Sequence, residues 1–158
     1  MPEFKPAHAD WLRRPECDRE SWSAFRGAAA AILAQLDGDL QQGHGIGYAD
    51  FDALVQLSLA DEGGMRMADL ARSVHRSPSA LTRLVSRLEQ RHLVERHRRC
   101  STDVTVTISA DGMALLAEAV PAHLDLVDRL FWAHLTPPDR ETMAQLCGAM
   151  LGEPQARS

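Results

Sequence analysis

From Ser77 to Gln90 the apolar residues Leu81, Leu84, Val85 and Leu88 recur at i, i+3, i+4 and i+7. That spacing puts them on one face of an α-helix. Ser77 precedes Pro78, which pairs an N-cap side chain with a residue preset for the first helical position. Just upstream, Met67, Leu70, Ala71 and Val74 form a second, shorter apolar face, and His75-Arg76 turns the chain between the two. Two short helices joined by a tight turn predict a helix-turn-helix. The period then changes. Val104, Val106 and Ile108 alternate with Thr105, Thr107 and Ser109, the pattern of a half-buried strand. The preceding "VERHRR" supplies a partner strand and "CSTD" the turn, so a β-hairpin wing should follow the helix-turn-helix.

The flanks are helical. Trp22, Phe25, Ala29, Ile32, Leu33, Leu36 and Leu40 predict a helix from Ser21 to about Gln41. Residues 1–20, with Pro6 and Pro15, read as an arm or a short irregular helix. "GHGIG" breaks the pattern, and a second helix begins at Tyr48 with Phe51, Leu54, Val55 and Leu59 on one side, stopping at Gly63-Gly64. Ser109 should cap a long helix reaching Leu135, which Pro121 should kink or divide. Thr136, Pro137 and Asp139 open a last helix. The fold class is therefore mainly α with a small β-hairpin wing, a winged helix-turn-helix carried on helices.

Composition sharpens this reading only through charge. With 45% hydrophobic, 25% charged and 5% aromatic residues among 158, the chain has the profile of a soluble globular protein with an aliphatic core. The longest apolar run, Ala28 to Ala34, is far short of the roughly 20 residues of a membrane span. The N-terminus lacks the pattern of a secretory signal, and three scattered cysteines fit a reducing cytoplasm better than a disulfide framework. Between Arg66 and Arg99, however, nine arginines face three acids. That segment carries +6 within a chain of net −5, leaving −11 for the remainder. A basic face on an acidic protein points to a polyanionic partner.

The helical wheel of residues 77–91 shows where that face lies. Ser79, Arg83, Ser86 and Gln90 fall opposite the apolar stripe, and Thr82 and Arg87 flank them. Arginine can pair with guanine O6 and N7, glutamine with adenine, and hydroxyls with phosphates or base edges. The face has a single acid, Glu89, and no lysine, unlike an ordinary solvated helix. Ser77, Ser79, Thr82, Arg83, Ser86, Arg87 and Gln90 are thus the candidate DNA-reading residues.

"YADFDALVQLS", "RMADLARSVHRSPSALTRLVSRLEQRHLVER" and "ISADGMALL", in this order and spacing, resemble the MarR family of bacterial transcriptional regulators. The likeness runs from Trp22 to Leu151, and "PAHLDLVDRLFWAHLTPPD" is similar to a branch common in actinobacteria. The resemblance implies a homodimer on a pseudo-palindromic operator. Residues 1–47 would form an arm and dimerisation helix, 48–110 the winged helix-turn-helix lobe, and 111–158 the C-terminal dimerisation helices. It also implies a cytoplasmic, ligand-responsive repressor with no cofactor beyond a small phenolic or aromatic-acid effector, for which Trp22, Phe25 and Phe51 are candidate contacts. In one respect the chain departs from the family. Its wing lacks the usual Arg-Arg-Gly element and passes from Thr102-Asp103 straight to Val104. His97, Arg98, Arg99 and Thr102 are then the candidates for backbone contacts, and DNA binding is expected to survive with fewer phosphate contacts.

Other chemistry is weaker. Seven histidines form no ligand spacing, so no metal site is expected. Cys100, beside Arg98 and Arg99, is a candidate redox thiol, and a cysteine-based redox-sensing regulator is one alternative reading. A protein-interaction module with weakened DNA binding is another. No phosphate loop or nucleophile elbow supports an enzyme.

Overall fold

The structure, a computed structural model, describes residues 9–98 and 104–152. The elements run α1 (Ala9–Leu12), α2 (Glu16–His44), α3 (Tyr48–Leu59), β1 (Gly64–Arg66), α4 (Met67–Ser73), α5 (Pro78–Gln90), β2 (Val94–Arg98), β3 (Val104–Ile108), α6 (Ala110–Leu130) and α7 (Pro137–Leu151). The chain divides into two compact units, Met1–Gln35 and Leu36–Ser158, with α2 contributing to both.

The first unit holds α1 and the opening turns of α2. None of its described residues is buried, and Trp22 and Phe25 stand half exposed with ring centroids 6.3 Å apart. α2 begins at Glu16 rather than near Ser21. Glu16 and Asp18 sit in its first turn, where carboxylates suit the positive end of the helix dipole.

The second unit contains the core. Leu54, Leu57, Leu70, Leu81, Val85, Leu88 and Val106 are fully enclosed. The apolar stripes of α3, α4 and α5 meet there, as their 3.6-residue period requires. β2 and β3 form the expected antiparallel hairpin, with Val94 opposite Ile108 and Arg98 opposite Val104. β1 adds a third strand, giving the order β1-β3-β2, with Met65 opposite Val106. Three residues are too few to show an alternating pattern. Gly64 admits the close approach, since a Cβ there would lie 2.7 Å from a Thr107 methyl.

The helix ends follow their local chemistry. The Ser77 hydroxyl accepts from the Ala80 amide at 3.3 Å, and the Ser109 hydroxyl accepts from Gly112 at 3.0 Å. Thr136 and Asp139 make a capping box for α7. The turn after α4 places His75 at φ 49°, in the left-handed region. α3 has glycine at its N-cap, which offers no side chain. Asp37 of α2 substitutes from a distance, its carboxylate accepting from the Tyr48 amide at 2.7 Å. Asp37→Ala should therefore cost about 1 kcal/mol, the usual worth of a cap, and lower the melting temperature by roughly 2–4 °C. Circular-dichroism melts at matched concentration check this, and an unchanged midpoint would contradict the capping role.

Two expectations for the C-terminal half change. Of the kink or division expected at Pro121, the division does not occur, since α6 is continuous from Ala110 to Leu130. Proline removes a single backbone bond, and α6 is held on the core on the N-terminal side of it by Leu116 and Ala119, both buried. The helix also stops short of Leu135. Trp132–His134 form a 3-10 turn, where the Arg140 guanidinium lies 5.0 Å from the Trp132 ring centre and donates to the Trp132 carbonyl at 3.1 Å. No helix among the described residues is long and apolar enough to cross a membrane.

Candidate nucleic-acid interface

α5 presents the two faces that its sequence predicts. Leu81, Leu84, Val85 and Leu88 are buried, while Ser79, Thr82, Arg83 and Gln90 are exposed. Among the described residues Arg83 has no hydrogen-bond or ion-pair partner, so its five donors face solvent from the middle of the helix. Ser77 is occupied as the N-cap and lies 3.3 Å from the Ser79 hydroxyl. The Thr82 hydroxyl donates to the Pro78 carbonyl at 2.9 Å, which leaves its oxygen free to accept.

Three basic side chains of the segment instead secure α5. Arg87 Nε donates to Asp50 of α3 at 3.1 Å, and a second guanidinium nitrogen bonds the other carboxylate oxygen. This bond, more than the opposing cost of burial, raises the Arg87 pKa above its ordinary value. Arg91 donates to the Gly45 carbonyl at 2.8 Å, tying the C-terminus of α5 to the end of α2. Arg96 of β2 donates to the Thr82 carbonyl at 3.2 Å and the Ser86 hydroxyl at 2.8 Å, and its Nε lies 3.5 Å from Glu89. Ser86 is consequently half-buried beneath Arg96, and the wing strand is bracketed onto the helix. So Arg87 and Ser86, placed at or beside the outward face by the helical wheel, are both engaged within the protein.

The remaining basic groups line the edges. Arg72 pairs with Asp69 one turn away, and Arg76 is exposed at the α4–α5 turn. Between α4 and α5 lies an open groove of ≈ 930 Å³, lined among others by Met67, Arg72, His75, Arg76, Pro78 and Thr82. On the wing, Arg98 is exposed, and His97 contacts the Thr107 hydroxyl at 2.9 Å and Glu95 at 3.6 Å. Arg99, Cys100, Thr102 and Asp103, which include the wing tip and the candidate redox thiol, lie outside the described residues. Cys17 is a free exposed thiol and Cys147 a free half-buried one. No group of three metal-ligating side chains occurs among the described residues.

The three candidate effector contacts have unlike surroundings. Trp22 and Phe25 are exposed, whereas Phe51 is a core residue at 4% exposure, its ring 4.4 Å from that of His123 on α6. His123 is a feature the sequence reading missed. Burial lowers its pKa, partly offset by Asp39, and its enclosed Nδ1 has no hydrogen-bond partner among the described residues.

Comparison with known proteins bears on this arrangement. The family model for MarR matches residues 50–101, which span α3 through β2. AbsC, a MarR family transcriptional regulator from Streptomyces coelicolor, superposes with a TM-score of 0.82 at 25% identity, covering 88% of this chain and 95% of that one. Over α3 to β2 the chain matches the MarR family model, and its fold is that of these MarR family regulators. Sco3205, a MarR family regulator from the same organism solved in complex with DNA, has a TM-score of 0.83 at 23% identity, over 90% of this chain and 92% of its own. The S. aureus MepR–DNA complex gives 0.72 at 19% identity, covering 82% and 93%. Nothing matches among the curated proteins. The three-stranded sheet and the α4–α5 pair thus have the winged helix-turn-helix arrangement seen in MarR family regulators.

Proposed function

We propose that this protein is a sequence-specific DNA-binding transcriptional regulator, a ligand-responsive repressor that reads a pseudo-palindromic operator as a homodimer. The observation that carries this reading is α5. Its apolar face is sealed in the core, its supporting arginines are internally bonded, and Arg83 is left unpartnered among the described residues on the outward side. A helix held this way can enter a major groove with Ser79, Thr82, Arg83 and Gln90 toward the bases. His97 and Arg98 of β2 would meet the phosphate backbone beside it. The solved DNA complexes of Sco3205 and MepR support the same use of the fold.

Binding of the purified protein to the DNA flanking its own gene, titrated over salt, tests the proposal. Specific binding that weakens steeply with salt is expected, because neutralised phosphates release counterions. Equal affinity for flanking and scrambled DNA would contradict it.

The dimer is supported by large apolar residues that stand exposed among the described residues. α7 has no buried residue, with Leu146 and Met150 exposed, and Trp22 and Phe25 are exposed on α2. Exposed apolar surface of this kind marks an interaction site. Sedimentation velocity at micromolar concentration should show a species of twice the chain mass, and a stable folded monomer would contradict the dimer.

An aromatic-acid effector would find apolar and cationic neighbours together in the groove between α4 and α5. Its binding would regulate the protein only by favouring one arrangement of the lobes over another or by competing with DNA.

A further inference from the structure

Asp50 is the one buried charged residue of the described core, at 4% exposure. It lies in the first turn of α3, surrounded by the same apolar cluster that receives α5. It is bonded by Arg87, 37 residues away, which grips both carboxylate oxygens. An apolar stripe alone is a weak rotational constraint, because hydrophobic contact is not directional. A two-pronged guanidinium–carboxylate pair is directional, since the planar fork meets the carboxylate in one orientation. It ties α5 to α3 at a point one helical turn from Arg83. From the opposite flank, Arg96 holds the Thr82 carbonyl and the Ser86 hydroxyl.

We propose that Asp50 and Arg87 form a positioning pair that sets the rotation of α5 about its axis, so that Arg87 governs operator choice through where Arg83 lands rather than by touching a base. The proposal rests on the DNA-reading function above. It makes Asp50, a residue with no route to the DNA, a determinant of sequence discrimination.

Duplexes recovered by the wild-type protein from a randomised library serve as the operator, with a scrambled duplex as control. Arg87→Gln alone would strand a buried carboxylate and could fail to fold, so the informative variants are Asp50→Asn, Arg87→Lys and the double variant Asp50→Asn/Arg87→Gln. Asp50→Asn and the double variant should each lose about tenfold in operator-over-scrambled discrimination, to the same extent, the low end of what one bidentate base contact supplies. The salt slope of the double variant should match wild type, because no phosphate contact is lost. Arg87→Lys should also lose discrimination, since it keeps the charge but not the fork. Full discrimination in Asp50→Asn would overturn the proposal. So would a salt slope smaller by about 1 in the double variant with Arg87→Lys behaving as wild type, the signature of direct phosphate contact. A wild-type protein that recovers no consensus would refute the DNA-reading function itself, and the pair's role with it, before any variant is made.

Discussion

Arg83→Ala should lower affinity for the operator by roughly 5- to 150-fold, the equivalent of the 1–3 kcal/mol that one bidentate guanine contact supplies. Affinity for scrambled DNA should fall far less. Most other arginines of the basic segment are engaged within the protein or lie off the helix. Arg87, Arg91 and Arg96 are bonded to Asp50, to the Gly45 carbonyl and to α5 respectively, and Arg72 is paired with Asp69. Arg76 lies at the turn before α5 and Arg98 out on the wing strand. Only Arg83 stands mid-helix on the outward face without a partner among the described residues. Its removal leaves the buried stripe of α5 untouched, so stability should change little, as for other exposed sites. Fluorescence anisotropy on both duplexes at fixed salt measures the contrast. Equal loss on the two would mean that Arg83 contacts phosphate alone.

Gly112→Ala should be the most destabilising of the small substitutions. On helix propensity alone the change would favour α6 by about 1 kcal/mol. Packing reverses the sign. A Cβ at this position would lie 2.3 Å from the Leu93 carbonyl oxygen and 2.8 Å from an Ile108 side-chain carbon. A side chain can yield, but a backbone carbonyl moves only with its segment. That segment is pinned, because the Ser109 hydroxyl donates to the His92 carbonyl at 2.6 Å and Leu93 accepts from the Ser109 amide at 3.1 Å. The expected cost is about 3 kcal/mol, the upper end for overpacking. It corresponds to a fall of roughly 6–12 °C in the melting midpoint for a chain of this size. A midpoint equal to or above wild type would show that α6 does not sit against Leu93.

How much of this was legible in the sequence depends on how local each feature is. The faces of α5 follow from a 3.6-residue period over 13 residues, and the β2–β3 hairpin from strict alternation, so both were readable. β1 was not, because three residues carry no period and its pairing is decided by β3, some forty positions later. The continuity of α6 through Pro121 depends on tertiary packing rather than on local propensity. Two side chains at or beside the outward face of α5, Arg87 and Ser86, bond within the protein. The wheel shows which way a side chain leaves the helix, but not that Arg87 bends back to Asp50 or that Arg96 covers Ser86. One signal was available. Asp50 lies three and four residues before Ala53 and Leu54, on the buried side of α3, and an acid on an apolar face requires a cation nearby. The identity of that cation was out of reach, since 37 residues separate the partners.

Two copies of α5 in a dimer should read two half-sites from one face of the DNA. Hydroxyl-radical footprinting of the wild-type protein on its operator tests this most directly. Two protected patches should appear, with centres one helical turn apart, about 34–36 Å, and both should vanish together as the protein is diluted. A single patch, or protection without a fixed spacing, would contradict the account.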